Sequence, residues 1–548
     1  ALPYELKDST RVWVVDQISA FPARSNVEVA VDFGAGTNNR IWTRTIKLGG
    51  AAGGTVKAAS MGVFVDPWNP VAGTNWLYDA YIQHGIDDTA LLISPYTGKY
   101  MMNRVVNYTV TVDDKGMKVP TDVITYKWDF ATNSPVFAKD LVATTKVTAT
   151  YDTNWGKYHD GTSVTLADFF GIPALAHERA NPASPLYDEA SLPGYQSTKA
   201  WYAGWRIVST NPLKYEWYGN QSNPVEPSWT AASYIGWPNM PWTVLAIARL
   251  AEQNGELAFS SPKSARTKLD WMNLIGGPSL PILAKWLDWA ITNKYIPEDL
   301  KNLAAKYNVQ ITPDEAVAKY QALKKFYQTY GHFWVASGPF FLYKADFTAH
   351  QAVERAFRDY PYKADRWAFL STPPVPELGI KVPTQVVPGL ETKINVTVSY
   401  KGQPYAKEKV QFVKYLVTDP FGNNVGKGEA AFGSPGTYVV TLSAQTTGSF
   451  TPGAYSILAI ATSTDVAVPA TMTSPFTVIP ALVYFTTMTN ALQAQLLGRI
   501  QTIESSTTTL QASIDSLKSS LNMAYAVAGL ALVVALAAVF LSLRKPKA

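Results

Sequence analysis

The residue types that most often carry out chemistry are sparse in this sequence. It contains no cysteine, which excludes disulfides, thiolate metal sites and cysteine nucleophiles. The five histidines show no metal-ligand spacing, and His177-Glu178-Arg179 lacks the second histidine of a zinc-protease helix. Asp87 and Asp88 resemble a solvated turn, and neither a serine nucleophile elbow nor a convincing phosphate-binding glycine loop is found. The sequence therefore predicts no catalytic residue, no metal, no cofactor and no enzyme.

Aromatic side chains are abundant and unevenly distributed. All 17 tryptophans lie at or before Trp367, and such a block indicates a large core, a binding cleft, or both. The chain has 548 residues, enough for three to four domains, and 47% of them are hydrophobic, which excludes a disordered protein. Its net charge of +5 is too small to predict binding to nucleic acid.

The elements that would position these side chains change in type along the tryptophan-rich block. Residues 1 to 235 are mainly strand-like, and residues 240 to 330 are mainly helical. The clearest helix begins at Thr312-Pro313-Asp314-Glu315, with Thr312 as N-cap and Glu315 at N3, and ends at Gly331. Strands followed by helices predict an α/β lobe built on a mixed sheet.

Five segments in this block resemble a known family. KYHDGTSVTLAD resembles the W-H-D-G-T-P-V-T-A-E-D motif of the family 5 extracellular solute-binding proteins, which are the oligopeptide, dipeptide and nickel receptors of ABC importers. The other four resemble the opening strand, the first hairpin and two later segments of that family. The resemblance covers residues 53 to 370 and implies a solute-binding lobe. The segments are GGTVKAASMGVFVDPWNP (53–70), SPYTGKY (94–100), KYHDGTSVTLAD (157–168), ASGPFFL (336–342) and ERAFRDYPY (354–362).

The chain also departs from that family. Ser163 replaces the proline of the motif, Leu166-Ala167 replaces Ala-Glu, and Phe340 replaces a tyrosine. The helix that marks the family's second lobe does not follow downstream, so half of the cleft is missing. Residues 1 to 52 are interpreted as a strand-rich segment that completes a preceding lobe. That lobe would lie on an N-terminal fragment of the same precursor; alternatively it was lost, and the fold serves a structural role.

The resemblance implies that a ligand is held by aromatic faces and a few polar groups. Aromatic rings stack on peptide side chains and on sugars, so a peptide and an oligosaccharide both remain open. The competing interpretation is that most of these rings belong to the core, and Asp160 and Gly161 are expected to form a scaffold turn. The candidate ligand-binding residues are Trp68, Asn69, Trp76, Tyr158, His159, Trp237 and Trp242.

A change in periodicity marks the next domain. Residues 371–379 form a Pro-rich linker, and from 380 to 480 apolar residues alternate with polar ones, as in Ile394, Val396 and Val398. Turn signals recur about every ten residues, which predicts an all-β, immunoglobulin-like sandwich. It contains neither tryptophan nor cysteine, and nothing in it suggests chemistry.

Residues 485–523 have the periodicity of a coiled coil. Mainly apolar residues recur at alternating steps of four and three, which predicts a stalk that forms a homo-oligomer, with dimer and trimer both open. The alternative is one amphipathic helix packed against the globular part. The helix is expected to continue unbroken into the next segment. The eight positions, called the heptad seam below, are Leu496, Ile500, Ile503, Thr507, Leu510, Ile514, Leu517 and Leu521.

Residues 524–543 contain no charge and are long enough to cross a bilayer as a helix. A basic tail follows at 544–548, which by the positive-inside rule predicts a single-pass protein of the cell membrane with a cytoplasmic C-terminus and an extracellular bulk. A buried core helix is the competing interpretation. This anchoring suggests an archaeal cell surface. Three sequons that fit a glycoprotein are at Asn107, Asn220 and Asn395.

Two functions follow from these patterns. The first is a membrane-anchored receptor that delivers a peptide or oligosaccharide to the permease of an ABC transporter. The second is a structural cell-surface protein of the S-layer type, built on a solute-binding-protein fold.

Overall fold

A computed structural model describes residues 23–49, 53–72, 74 and 76–543. It combines helices with antiparallel sheets and ends in a long apolar helix. The chain divides into two units, the first made of Ala1–Val375 with Thr464–Val468 and the second of Pro376–Ser463 with Pro469–Ala548.

The first unit contains both strands and helices. Its strands β1 to β14 cover, in order, Val27–Glu28, Lys47–Leu48, Leu91–Ile93, Tyr100–Met102, Val105–Lys118, Ile124–Asp129, Ser134–Phe137, Val142–Tyr151, Tyr202–Thr210, Leu213–Gly219, Leu257–Ala258, Asp270–Trp271, Phe340–Asp346 and Gln351–Ala356. Its helices α1 to α10 cover, in order, Ile41–Thr45, Leu77–Ile86, Asp168–Ala180, Leu192–Trp201, Pro227–Tyr234, Trp242–Gln253, Ser261–Thr267, Ser279–Thr292, Glu298–Ala305 and Pro313–Tyr330.

A six-stranded sheet with the order β5-β8-β10-β9-β6-β7 lies at the centre of this unit. Buried and more exposed residues alternate along β8, as expected when one face of a sheet packs on a core. The expectation of a mixed sheet is corrected, because every pair in this sheet is antiparallel. Parallel pairing in the described part of the unit is confined to the two-residue strands β11 and β12.

Asp168, the last residue of the KYHDGTSVTLAD segment, connects three helices. Its Oδ2 accepts hydrogen bonds from Thr165 N and Thr165 Oγ1 at the start of α3, at 2.7 and 2.8 Å. Its Oδ1 accepts one from Trp242 N, at 3.0 Å, and so satisfies a free N–H at the start of α6. Lys319 on α10 forms an ion pair with the same carboxylate, 3.2 Å from Oδ2. One side chain therefore sets the positions of α3, α6 and α10.

Helix α10 confirms the sequence prediction in detail. Thr312 Oγ1 accepts a hydrogen bond from Glu315 N, and Glu315 accepts one from Thr312 N, which forms the predicted capping box. Gly331 ends the helix in the left-handed conformation, with φ of 77°. In contrast, the helices α3 and α4 lie in a region predicted to be mainly strand-like.

The segment predicted as strands at 1–52 is only partly described. Residues 23–49 contain the two-residue strands β1 and β2, paired with each other, and the short helix α1. The interpretation as a strand-rich segment is therefore not confirmed for these residues. The strand expected over RVWVVDQISAF lies outside the described residues.

The second unit begins with a β-sandwich of immunoglobulin-like strand order. One sheet has the order β15-β16-β21-β20, with β17 paired to β16, and the other has the order β19-β18-β22-β23. Both sheets contribute to one core that contains Ile394, Val440, Val413 and Ile457. The sandwich starts inside the predicted linker, at Glu377. Strands β15 to β23 cover, in order, Glu377–Lys381, Thr392–Tyr400, Gln403–Pro404, Val410–Thr418, Asn424–Glu429, Ala431–Ser434, Thr437–Leu442, Gly453–Ser463 and Ala470–Val478, and α11 covers Ala444–Gly448.

The helix α12, Ala481–Ser542, follows the sandwich and is 62 residues long. The predicted stalk and membrane segment are therefore one unbroken helix, as expected. By length and composition it could cross a membrane. None of its described residues is buried, so within the second unit the helix does not pack against the sandwich.

Replacing Thr312 with alanine tests the capping of α10. The Thr312→Ala variant should lower the free energy of unfolding of the first unit by about 1 kcal/mol, because an N–H of the first turn loses its acceptor. Since all 17 tryptophans lie at or before Trp367, tryptophan fluorescence during denaturant unfolding reports on this unit alone. Thr329→Ala, in an exposed last turn of the same helix, is the matched control and should change stability by less than about 0.5 kcal/mol. Equal effects of the two substitutions would contradict the prediction.

Candidate functional site

A buried carboxylate is the centre of the candidate site. Asp88 Oδ2 accepts a hydrogen bond from Arg104 Nε at 2.6 Å, and Asp88 Oδ1 lies 3.2 Å from Arg44 Nη2. The amide of Asn103 and the hydroxyl of Tyr360 also donate to this carboxylate, at 2.6 and 3.1 Å. These five residues are called the Asp88 cluster below. They join the β3–β4 hairpin region, α1 and the segment that follows β14.

The sequence suggested a solvated turn at Asp87 and Asp88, and the structure corrects this. The two residues are 8% and 3% exposed. Burial alone would raise the pKa of Asp88, but the charges of Arg104 and Arg44 outweigh it, so the pKa of Asp88 lies below its usual value. Burial raises the pKa of Asp87, and the positive charge of Arg40 offsets this increase only in part.

Aromatic rings enclose the guanidinium group of Arg104. Its Cζ atom lies 4.6 Å from the ring centre of Trp237, 5.0 Å from that of Tyr360 and 5.1 Å from that of Tyr362. Arg104 also donates to the carbonyl oxygens of Trp155 and Ser337. A buried cation held by cation–π contacts and by an ion pair is a rigid anchor for the loops around it.

His159 links two of the segments that resemble the solute-binding family. Its Nδ1 accepts a hydrogen bond from Ala336 N at 3.2 Å, so its Nε2 carries the proton and donates to the carbonyl oxygen of Gly338 at 3.1 Å. Burial lowers the pKa of His159 to about 3, which keeps the ring neutral. Asp160 accepts from the backbone and hydroxyl of Thr162, so it forms the expected scaffold turn.

A groove of about 480 Å³ opens to solvent beside the Asp88 cluster. Trp155 connects the two, because its carbonyl oxygen accepts from Arg104. Lys157 and Asp359 lie in the groove as a half-exposed ion pair with an N–O distance of 2.9 Å. The groove thus combines an indole, a cation and an anion. Its lining residues are Thr153, Asn154, Trp155, Gly156, Lys157, Ser163, Val164 and Asp359.

Three of the predicted ligand-binding residues are enclosed in the core. Trp68 is 0% exposed and packs edge-on against Trp334. Trp242 is 1% exposed and packs edge-on against Tyr320. Tyr158 is 0% exposed, and its hydroxyl donates to Pro238 O at 2.9 Å. Sequence composition revealed that aromatic residues were abundant, but not which way each ring points.

The remaining predicted residues are divided between two places. Asn69 is buried and accepts hydrogen bonds from the backbone of a tight turn, so it has a structural role. Trp76 lies at the start of α2, where its indole donates to Gly62 O. Trp237 lies at the Asp88 cluster, and its indole donates to Ser337 Oγ at 2.9 Å. His159 and Trp237 therefore meet at residues 336–338, and Tyr158 is linked to this place through its hydrogen bond to the carbonyl oxygen of Pro238.

Buried donors without acceptors lie on α1, on the residue that precedes α1, and on α2. Among the described residues, no hydrogen-bond partner is found for Arg40 Nη1, Trp42 Nε1, Arg44 Nε and Gln83 Nε2. Buried N–H groups without partners lower stability, so this part of the fold is strained.

The sequons and metal ligands can also be placed. The side chains of Asn107, Asn220 and Asn395 are exposed, as glycosylation would require. Within the described parts of the chain, no group of three or more histidine, aspartate or glutamate side chains is arranged to hold a metal ion.

Comparisons with known proteins add little. No family model matches this chain, and no curated protein matches it. Among the solved structures that align with parts of it are three with a TM-score of 0.14 each, which is too low to support an argument about fold or function. They are superoxide reductase (neelaredoxin) from Ignicoccus hospitalis (15% identity, 19% of this chain, 80% of that chain), the fibronectin(III)-like modules of CbhA from Clostridium thermocellum (16%, 27%, 60%) and the CARDB domain of PF1109 from Pyrococcus furiosus (20%, 19%, 90%).

Gly338 allows a close approach of two chain segments at the site. A Cβ atom on Gly338 would lie 2.2 Å from the carbonyl oxygen of Ile86. Gly338→Ala should therefore lower the unfolding free energy of the first unit by about 1–3 kcal/mol, measured by tryptophan fluorescence. The control is Gly236→Ala, where an added Cβ meets no atom within 4 Å and should change stability by less than about 0.5 kcal/mol. A neutral Gly338→Ala variant would contradict the geometry.

The buried neutral histidine makes stability depend on pH. The pKa of His159 is about 3 in the folded protein and about 6.5 in the unfolded chain, so between these values the unfolded chain binds one more proton. The unfolding free energy should therefore fall with falling pH, by up to about 1.4 kcal/mol per pH unit for this residue. His159→Gln removes this titration, so denaturation curves between pH 7 and pH 4 should show a shallower dependence. Parallel pH dependences for the variant and the original protein would refute the role of His159.

Proposed function

We propose that this chain is a membrane-anchored, cell-surface receptor that binds a short peptide or an oligosaccharide and delivers it to an ABC importer. The observation that carries the proposal is the convergence of three segments with family resemblance beside Arg104. Arg104 donates to Ser337 O in 336–342 and lies over the ring of Tyr360 in 354–362, and His159 in 157–168 donates to Gly338 O. The groove beside this place is the proposed binding surface.

The chemistry of the groove favours a peptide over a sugar. Lys157 and Asp359 are each about half exposed, so either can exchange its partner for the opposite charge of a ligand. A zwitterionic peptide offers both charges, with its carboxylate toward Lys157 and its ammonium group toward Asp359. The indole of Trp155 provides an apolar surface between them, of the kind that stacks on peptide side chains.

Several features support the rest of the proposal. The helix α12 is long and apolar enough to serve as the anchor, and the exposed sequons fit an extracellular location.

A structural surface protein is the second candidate. It is favoured by the shape of the groove, which is widely open, and by the long helix α12, which is about 93 Å from end to end and exposes its apolar residues. Such a helix suits a pillar as well as a tether.

Ligand binding separates the two functions. Full-length protein in detergent should bind a mixture of tri- to hexapeptides, with binding measured by calorimetry and by tryptophan fluorescence, and a mixture of neutral oligosaccharides serves as the competing probe. Trp155→Ala should weaken binding at least ten-fold, because it removes the apolar wall of the groove and leaves the backbone contact with Arg104 in place. The matched control is Trp289→Ala, which removes an exposed indole on α8 outside the groove.

The outcomes are distinct. Tighter binding of peptides, lost in Trp155→Ala and retained in Trp289→Ala, supports the receptor with the preference given above. Binding of oligosaccharides alone supports the receptor and overturns the peptide preference. Absence of millimolar or tighter binding by either mixture overturns the receptor in favour of the structural role.

A further inference from the structure

The apolar residues of the heptad seam are exposed and are not covered by any other part of the chain that the structure describes. Leu496, Ile514 and Leu517 are 50%, 44% and 70% exposed, and the other apolar seam residues fall in the same range. An isolated helix of this kind is not stable in water, and the run Thr507–Thr509 lowers its intrinsic helix propensity further. The seam therefore requires a covering surface.

The one polar seam residue is compatible with an apolar interface. Thr507 Oγ1 donates to Ile503 O at 2.8 Å, so its hydroxyl is satisfied within its own helix. Its methyl group is then free to pack at the interface. The neighbouring threonines make the same bond to the preceding turn, and they lie outside the seam.

The seam continues into the apolar end of α12 without a change of phase. Counting on from Leu521 in alternating steps of three and four reaches a small residue at every position up to the end of the helix. Small residues allow close approach of two helices in a membrane, where large apolar residues gain little by leaving lipid. These six positions are Ala524, Ala528, Ala531, Ala535, Ala538 and Ser542.

The large residues of the apolar end lie off this line. Leu530, Val533, Leu536 and Phe540 all occupy other faces of the helix and are more than 60% exposed. The helix thus keeps one continuous face that is large and apolar where water surrounds it and small where lipid would surround it. One helix face that carries large apolar residues in water and small residues in lipid can form a single interface along the whole helix.

Charge and topology fix the orientation of the covering surface. In heptad notation (abcdefg), the steps of four and three make Leu496, Ile503, Leu510 and Leu517 the d positions and Ile500, Thr507, Ile514 and Leu521 the a positions. Arg499 precedes the a position Ile500, so it occupies a g position. Glu504, five residues later, follows the d position Ile503, so it occupies an e position. In a parallel pair in register, a g residue of one helix lies beside the following e residue of the other helix. Arg499 of one copy therefore lies next to Glu504 of the second copy. An antiparallel pair would put the two membrane segments at opposite ends, where one bilayer could not hold both.

We infer that two copies of this chain associate in parallel and in register along one seam that runs from Leu496 to Ser542. Two strands are favoured because three of the four a positions are β-branched and three of the four d positions are leucine. The inference takes from the proposed function only the membrane insertion of α12, and it does not require that the protein bind a ligand.

The absence of cysteine makes a crosslinking test direct. Full-length protein carrying one cysteine is reconstituted in phosphatidylcholine vesicles and oxidised, and the rate of covalent dimer formation is measured. Thr507→Cys and Ala531→Cys place the thiol on the seam, one in each environment. Ser505→Cys and Val533→Cys place it on the opposite face of the helix and serve as matched controls. The original protein in detergent is weighed by native mass spectrometry.

The expected result is crosslinking at least ten-fold faster at both seam positions than at their controls, with a mass of two copies. Equal rates at seam and control positions would overturn the inference. Fast crosslinking at Thr507→Cys but not at Ala531→Cys would overturn the continuous seam, and a mass of three copies would overturn the dimer. Because no ligand is present, a failure of peptide binding leaves this result unaffected.

Discussion

The first unit depends on the burial of a single carboxylate. Once Asp88 is removed from water, it needs positive charge close by, and Arg44 and Arg104 provide it from opposite sides. Their guanidinium groups must in turn be enclosed, which draws in Trp237, Tyr360 and the carbonyl groups of neighbouring loops. Breaking a buried pair of this kind typically costs about 3–5 kcal/mol, so the loops around it are fixed together. The groove exists because these loops are held in place.

The parts of the fold that follow local rules could be predicted from the sequence. The capping box and the final glycine of α10 were readable because they depend on residues within one helix. The sandwich could be predicted because apolar and polar residues alternate where one face of a strand packs in the core and the other faces solvent. The helix α12 could be predicted from its heptad periodicity and from its long uncharged end. The helix α3 was not predicted, because its buried side chains, such as Phe170 and Leu175, pack in the core and tertiary packing overrides a weak local signal. The helix α4 was not predicted either, and its residues are not buried.

The candidate site was harder to predict, for a physical reason. Asp88 looked like part of a surface turn because its two cationic partners lie 44 and 16 residues away along the chain. A pairing at such distance leaves no spacing that can be recognised in one sequence. The predicted aromatic ligand-binding residues were only partly correct for a similar reason, because the burial of a ring depends on residues that are distant in the sequence. Trp155, which lines the groove, differs from the enclosed Trp68 only in this respect.

The short connection between the sandwich and α12 makes the two move together as one rigid body. Only Ile479 and Pro480 separate β23 from the helix, and Ile479 N donates to Val386 O, so no flexible hinge lies between them. From Ala481 to Met523 the helix extends about 65 Å, and a tilt of about ten degrees at its foot would move the sandwich sideways by about 11 Å. Membrane helices change tilt with bilayer thickness. In the proposed membrane-anchored arrangement, a small change of tilt in the lipid would therefore move the sandwich over a much larger distance.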